Sequence, residues 1–232
     1  MKYTPAITAV LLVLSFITPP AFAGRDGSQW NTLNYNVLKL YRVGQYDRGV
    51  VVAKKALAVA EENVGPDHPD VATSLDNISL FYESRGQYAQ AEPLRLRSLE
   101  IREKAFGPDQ AELALSLNKL AFVYKRQGRY AQAEPLLKRS LVLWENSYGP
   151  DNPNVTFALN NLAMLYKSQG KYAQAEPLYR RSLAISENAL GPDNPHIALG
   201  LKKLAELYRD MKRDGEAEIL ERRAARILSM RQ

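Results

Sequence analysis

The chain has 232 residues, 46% of them hydrophobic and 24% charged, enough apolar material for a packed core and too much for a disordered chain. Its formal net charge of +6 comes from 31 Lys and Arg against 25 Asp and Glu, a mild excess that does not by itself imply a nucleic-acid partner. There is no cysteine, which excludes thiol chemistry, disulfide staples and a lipid-modified cysteine.

The first element in chain order is a targeting segment. Lys2 precedes an apolar run from Ala6 to Ile17, Pro19 and Pro20 break it, and Ala21-Phe22-Ala23 has the small-residue pattern of a cleavage site. Residues 1–23 therefore read as a cleavable signal peptide, 24–29 as a short linker and 30–232 as a repeat domain. The apolar run is short for a bilayer span, and nothing after it approaches the roughly 20 apolar residues a span requires. The expectation is an exported protein, periplasmic or secreted, with no integral membrane segment after cleavage.

Beyond residue 30 two markers share one period. "YAQAEPL" occurs at 88–94, 130–136 and 172–178, and "GPD" begins at Gly65, Gly107, Gly149 and Gly191, both at intervals of 42 residues. A reactive heptapeptide rarely needs three copies at fixed spacing, whereas a stacked unit needs its packing residues to return in register. Between each Gly-Pro-Asp and the next Tyr, apolar residues recur at helical spacing, as do Leu159, Leu162, Ala163 and Tyr166. After the Tyr a second stretch puts Ala175, Leu178, Tyr179, Leu183 and Ile185 on a comparable face. Each period is thus a helix pair.

Gly86, Gly128 and Gly170 are expected to close the first helix of a pair in left-handed backbone, and each Gly-Pro to end the second. Asp67, Asp109, Asp151 and Asp193 are expected near the cap of the following helix. Pro93, Pro135 and Pro177 fall either several residues into the second helix, bending it mildly, or in its first turn. The first unit keeps Leu33, Val37, Leu38, Gly44, Tyr46 and Ala56 in register but has Asn36 where later units have Ile78, Leu120 or Leu162. In the last unit Asp214 replaces the Tyr and Ile219 the Pro, polar drift that suits a terminal unit facing water.

Leu117, Leu120, Ala121, Tyr124, Ala133 and Leu137, and one period later Leu159, Leu162, Ala163, Tyr166, Ala175 and Tyr179, resemble the tetratricopeptide pattern. With "LNNLAMLY", "GKYAQAEPLY" and "GPDNP" in a 42-residue period, the chain resembles the kinesin light chain type of that repeat over residues 30–230. The resemblance implies an all-α, right-handed superhelical α-solenoid of about five helix pairs, each helix roughly one turn longer than in the ordinary repeat.

The resemblance also implies that the first helices line a concave groove for an extended peptide. The positions it points to are Asp76, Asn118, Asn160 and Lys202, then Leu80, Phe122, Met164 and Glu206, then Glu83, Lys125, Lys167 and Arg209. Read in order, the first and third sets run from acidic (Asp76, Glu83) to basic (Lys202, Arg209), so a polarised groove is expected. Asparagines would meet a peptide backbone, and the lysines and arginine would draw acidic residues towards the last repeats. Asn118, Asn160 and Asn161 resemble groove-lining asparagines of the type; Lys119 and Lys203 stand where one copy has Asn161. The functional expectation is a non-catalytic protein-interaction scaffold, with a self-assembling solenoid subunit of an envelope complex as the alternative.

Catalysis finds little footing. The two histidines, His68 and His196, lie in equivalent loops about three repeats apart, and no phosphate loop, nucleophile elbow or zinc pattern occurs. The repeated Glu92, Glu134 and Glu176 occupy one position of successive units and read as solvent-facing or helix-start charges rather than paired acids. No catalytic residue, cofactor or metal is therefore assigned. Basic residues alternate with acids along the chain, which argues against nucleic acid.

Overall fold

A computed structural model describes residues 27–230, and ten helices with no strand fill them. They form five pairs: α1 (Gly27–Arg42) with α2 (Tyr46–Val64), α3 (Pro69–Ser84) with α4 (Tyr88–Phe106), α5 (Glu112–Arg126) with α6 (Tyr130–Tyr148), α7 (Val155–Ser168) with α8 (Tyr172–Leu190), and α9 (Pro195–Asp210) with α10 (Asp214–Ser229). Each helix packs chiefly on its neighbours in sequence, so the chain is an all-α solenoid. The expected signal peptide lies outside the described residues. α1 opens at Gly27, within the stretch read as a linker.

The recurring residues make the seam between helices. Ala91, Ala133, Ala175 and Ala217 are fully buried in the second helices, where a methyl group allows close approach. Leu117, Leu159 and Leu201 are equally buried in the first helices, each such side chain stabilising by about 1.5–3 kcal/mol. Gly86 and Gly128 close first helices at φ 72° and 74°. One period after Gly170 stands Lys212, the positive-φ non-glycine among the described residues at φ 60°, a conformation costing a side chain about 1 kcal/mol.

The capping expectation needs correcting: the N-cap positions are His68, Ala111, Asn154 and Asn194, none of them one of the four aspartates. His68 and Asn194, rather than Asp67 and Asp193, cap α3 and α9, accepting from the backbone N–H of Asp70 and His196. The reason is local: Pro69 and Pro195 take the first helical position and force the preceding residue into extended backbone, where a cap must sit. Asp67 instead meets Lys104 at 3.2 Å. Pro93, Pro135 and Pro177 lie inside their 19-residue helices, not in the first turn. Each removes a bond to the carbonyl four residues earlier, on Ala89, Ala131 and Ala173, which are exposed and open to water.

Two polar ladders bind one repeat to the next. Arg139, Arg181 and Arg223 each pair with a glutamate 36 residues earlier (Glu103, Glu145, Glu187) at 2.5–2.6 Å and donate to the carbonyl of Pro108, Pro150 and Pro192. Each arginine thereby pins the Gly-Pro turn below it. In the second ladder Arg129 and Arg213 lie over Tyr124 and Tyr208 while pairing with Glu92 and Glu176 at 2.5 and 2.6 Å. The hydroxyls of Tyr166 and Tyr208 donate to Glu134 and Glu176 at 3.0 Å. The repeated glutamates, read from sequence as solvent-facing or helix-start charges, lie near the helix starts and are partly buried acceptors joining repeats.

The last pair carries charges where earlier pairs bury side chains. Glu221 occupies the register of Arg95, Leu137 and Tyr179, three buried side chains, and accepts from Arg209 at 2.8 Å; Asp214 accepts from the same arginine at 2.9 Å. The charges stand beside exposed apolar side chains on the same helix, Ile219 and Leu228.

Candidate peptide-binding face

The first helices carry the expected groove residues, and the structure divides them into buried and exposed sets. Asp76 is 7% exposed and Asn118 4% exposed. The Asp76 carboxylate accepts from Arg95 at 2.6 Å, Lys119 at 2.7 Å, Ser98 at 3.0 Å and Arg102 at 3.1 Å. Burial alone would raise its pKa, but Lys119, Arg102 and Arg95 together hold the carboxyl well below its ordinary range. Asn118 donates to the Ala114 carbonyl and to Ser140, and accepts from Asn161 at 2.9 Å. Both residues are spent inside the stack.

The expected charge gradient along the groove is consumed in the same way. Glu83 accepts from Ser79 and from Arg95, each at 2.7 Å, so Arg95 bridges the two acids that were to make the first repeats negative. Burial works against the Arg95 charge, yet Asp76 and Glu83 hold its guanidinium above its ordinary value. At the other end Arg209 is taken by Asp214 and Glu221, and Lys167 lies between Glu206 at 3.3 Å and Asp210 at 3.4 Å. The cause is the stacking, which brings opposite charges together within a pair, as for Arg95 and Arg209, and between repeats, as for Lys119 and Lys167.

What remains open is a short apolar and cationic stretch. Phe122 and Met164, one period apart on α5 and α7, are each 39% exposed. The Lys125 ammonium lies 5.9 Å from the centre of the Phe122 ring, and Tyr88 meets that ring edge-on at 6.3 Å. Burial and the neighbouring Arg126 push Lys125 down to about 8. Among the described residues no carboxylate lies within ion-pair distance of Lys125, and the exposed Lys202 also has none. Asn160 is half-buried. Leu80 is half-buried and Glu206 exposed.

Sequence reasoning missed Arg95 and Tyr88 as shapers of this face, and placed Lys119 at a groove position without its partner Asp76. The first had a signal: Arg95 breaks a register that is Leu137 and Tyr179 in the next copies. Among the described residues no group of His, Cys, Asp or Glu could hold a metal ion, and no helix is long and apolar enough to cross a membrane.

Comparison with known proteins places the whole arrangement. The tetratricopeptide repeat family matches residues 32–104, 76–141, 112–188 and 156–229. Among solved structures, the kinesin light chain TPR-like repeats of Podosopora anserina align at 20% identity and TM-score 0.77, over 88% of this chain and 97% of theirs. BtubC (BKLC) of P. vanneervenii aligns at 21% identity and TM-score 0.76, over 88% and 81%. PilW, a type IV pilus biogenesis factor, aligns at 19% identity and TM-score 0.65, over 89% and 80%. No curated protein sequence matches the chain. Overlapping matches from residue 32 to residue 229 account for every helix pair, and the chain belongs to the tetratricopeptide repeat family, its repeats like those of kinesin light chains.

Proposed function

We propose that this chain is a non-catalytic scaffold that holds an extended segment of another protein along the inner face of its first helices. Tetratricopeptide repeats are protein-interaction units, and the observation that carries the reading here is the exposed pair Phe122 and Met164 beside Lys125. Large apolar side chains on successive repeats give an extended segment anchors at a regular interval, and Lys125 gives it an acidic contact. Asn160, Lys167, Lys202 and Arg209 border the same path, while Asp76 and Asn118 support it from beneath.

A photo-crosslinking amino acid placed at Phe122 or Met164 is expected to capture a partner that the same group at Val142, exposed on the second helix α6, does not. Identical captured sets from both faces would overturn a groove. We also propose that the chain works outside the cytoplasm after loss of residues 1–23, as its opening residues suggest. N-terminal sequencing of the protein recovered from its native source should then begin at Gly24; recovery with Met1 would refute export by cleavage.

A further inference from the structure

The two ends of the solenoid carry opposite charges at positions where inner repeats touch. On α10 Asp214, Glu218 and Glu221 follow one another at helical spacing, all exposed. Arg209 takes Asp214 at 2.9 Å and Glu221 at 2.8 Å, while among the described residues Glu218 makes no ion pair. Arg222, a turn further along, pairs with none of the three. At the other end Lys39 and Arg42 close α1, both exposed and both without an ion pair among the described residues.

The inner junctions tell which of these would meet if the repeat ran on. Arg126 donates to the Tyr88 hydroxyl, 38 residues earlier, at 2.8 Å. A second copy standing where a sixth pair would stand sets its Arg42 in the place of Arg126, and there it faces Asp214 in the place of Tyr88. Arg209 shares that corner and keeps Glu221. Glu92, Glu134 and Glu176 each accept from the following repeat, from Arg129 at 2.5 Å, Tyr166 at 3.0 Å and Arg213 at 2.6 Å. Glu218 is the fourth of this series and has no following repeat. Gln45 of the second copy falls in the place of Arg129 and Arg213; its oxygen accepts from Arg48, and among the described residues its amide N–H groups are unspent. Phe81 lies directly over Gly49, and the same register lays Lys39 over the turn of α10 at Ala217, between Asp214 and Glu221.

The polar changes at the two ends are also matched in sign. Phe81, Val123, Leu165 and Leu207 are buried where α1 has Lys39, and Arg95, Leu137 and Tyr179 are buried where α10 has Glu221. Each end has exchanged a packing side chain for a charge, one cationic and one anionic. Solvation alone would be served by either sign, and an end built to reject copies of itself would repeat the sign of its counterpart.

We infer that the chain stacks head to tail on a second copy of itself, the acidic start of α10 in one copy against the basic end of α1 in the next. The joint is heterologous, so each addition leaves one α1 and one α10 free and the stack can grow. The first helices then continue in register from copy to copy, and the inner face of one runs on into the next. This joint is independent of what the inner face holds.

The test is light scattering coupled to size-exclusion chromatography over a concentration series, on the chain from Gly24, which holds every described helix. The mean mass should rise past that of a dimer at low salt and fall back in about 0.5 M salt, where exposed charges are screened. Arg42→Glu spoils the head and Glu218→Lys the tail, and each should weaken association about tenfold or more. Both residues are exposed and unpaired among the described residues, so the circular dichroism of each variant should match the parent's. Mixed together, the two variants should join through their intact faces into a dimer and stop there. Arg42→Asp with Asp214→Arg in one chain should restore growth, since the pair is only reversed. A parent that stays monomeric at every concentration would overturn the joint, and so would a parent that halts at a closed dimer. Growth indifferent to both substitutions, or a mixture no larger than its components, would equally overturn it.

Discussion

Asp76→Asn should lower the unfolding free energy by about 3 kcal/mol, seen as a fall in the urea midpoint, because it strips a buried cation cluster of its central carboxylate. Arg95, Arg102 and Lys119 all pair with Asp76, and Arg95 is 4% exposed. Glu83 would remain as the acid facing Arg95. The sign with pH follows from the folded carboxyl titrating well below 3.8. Asp76 then contributes its full stability above the unfolded value and loses it as pH falls towards the folded one. The parent should therefore lose stability on acidification below about pH 4 by a step that the variant lacks. The next repeat supplies a compensated version of the same place, with Asn118, Lys125, Leu137 and Asn161. Transplanting them as Asp76→Asn, Glu83→Lys, Arg95→Leu and Lys119→Asn, with Arg102→Trp after Trp144 so that no partner of Asp76 is orphaned, should recover most of the loss, since apolar replacement of a buried ion cluster is often neutral or better. A single Asp76→Asn variant as stable as the parent would mean that the cluster contributes no net stability.

The architecture was legible because it is periodic. Leu117, Leu159 and Leu201 return every 42 residues and are all buried, so the helix pairs and their seam could be read from one strand of text. The groove residues were legible only as positions. Asp76 reads as an exposed acid until its partners are known, and these stand 19, 26 and 43 residues away on other helices. Lys167 reads as a free cation until Glu206 and Asp210 arrive from the next repeat. Position is set by the local helical period, whereas charge compensation is set by the stacking offset, and a residue's neighbours along the chain do not report the second. The clamp of Arg181 on Glu145 and the Pro150 carbonyl was hidden for the same reason, although its residues keep the period as faithfully as the leucines do.

Gly49→Ala should destabilise the chain by about 1–3 kcal/mol, against a helix propensity that favours alanine by about 1 kcal/mol. Gly49 sits at the seam position filled by Ala91, Ala133 and Ala175 in later units, and a Cβ there would lie 2.2 Å from the Phe81 ring. Phe81 is fully buried and holds the register of Val123, Leu165 and Leu207. The first junction has thus exchanged a methyl on one helix for a larger ring on its neighbour. Phe81→Val alone should cost about 2–3 kcal/mol through the cavity it leaves. Gly49→Ala with Phe81→Val restores the pairing of the next junction and should cost clearly less than the two effects added, a coupling of about 1–3 kcal/mol in a double-mutant cycle. Strict additivity would refute the size exchange. The location of the damage is a second check, because a solenoid's stability is a sum of neighbour interfaces. In Gly49→Ala the amides of α1 and α2 should lose hydrogen-exchange protection while those of α7 to α10 keep theirs. Uniform loss along the chain would show that the first junction cannot open apart from the rest.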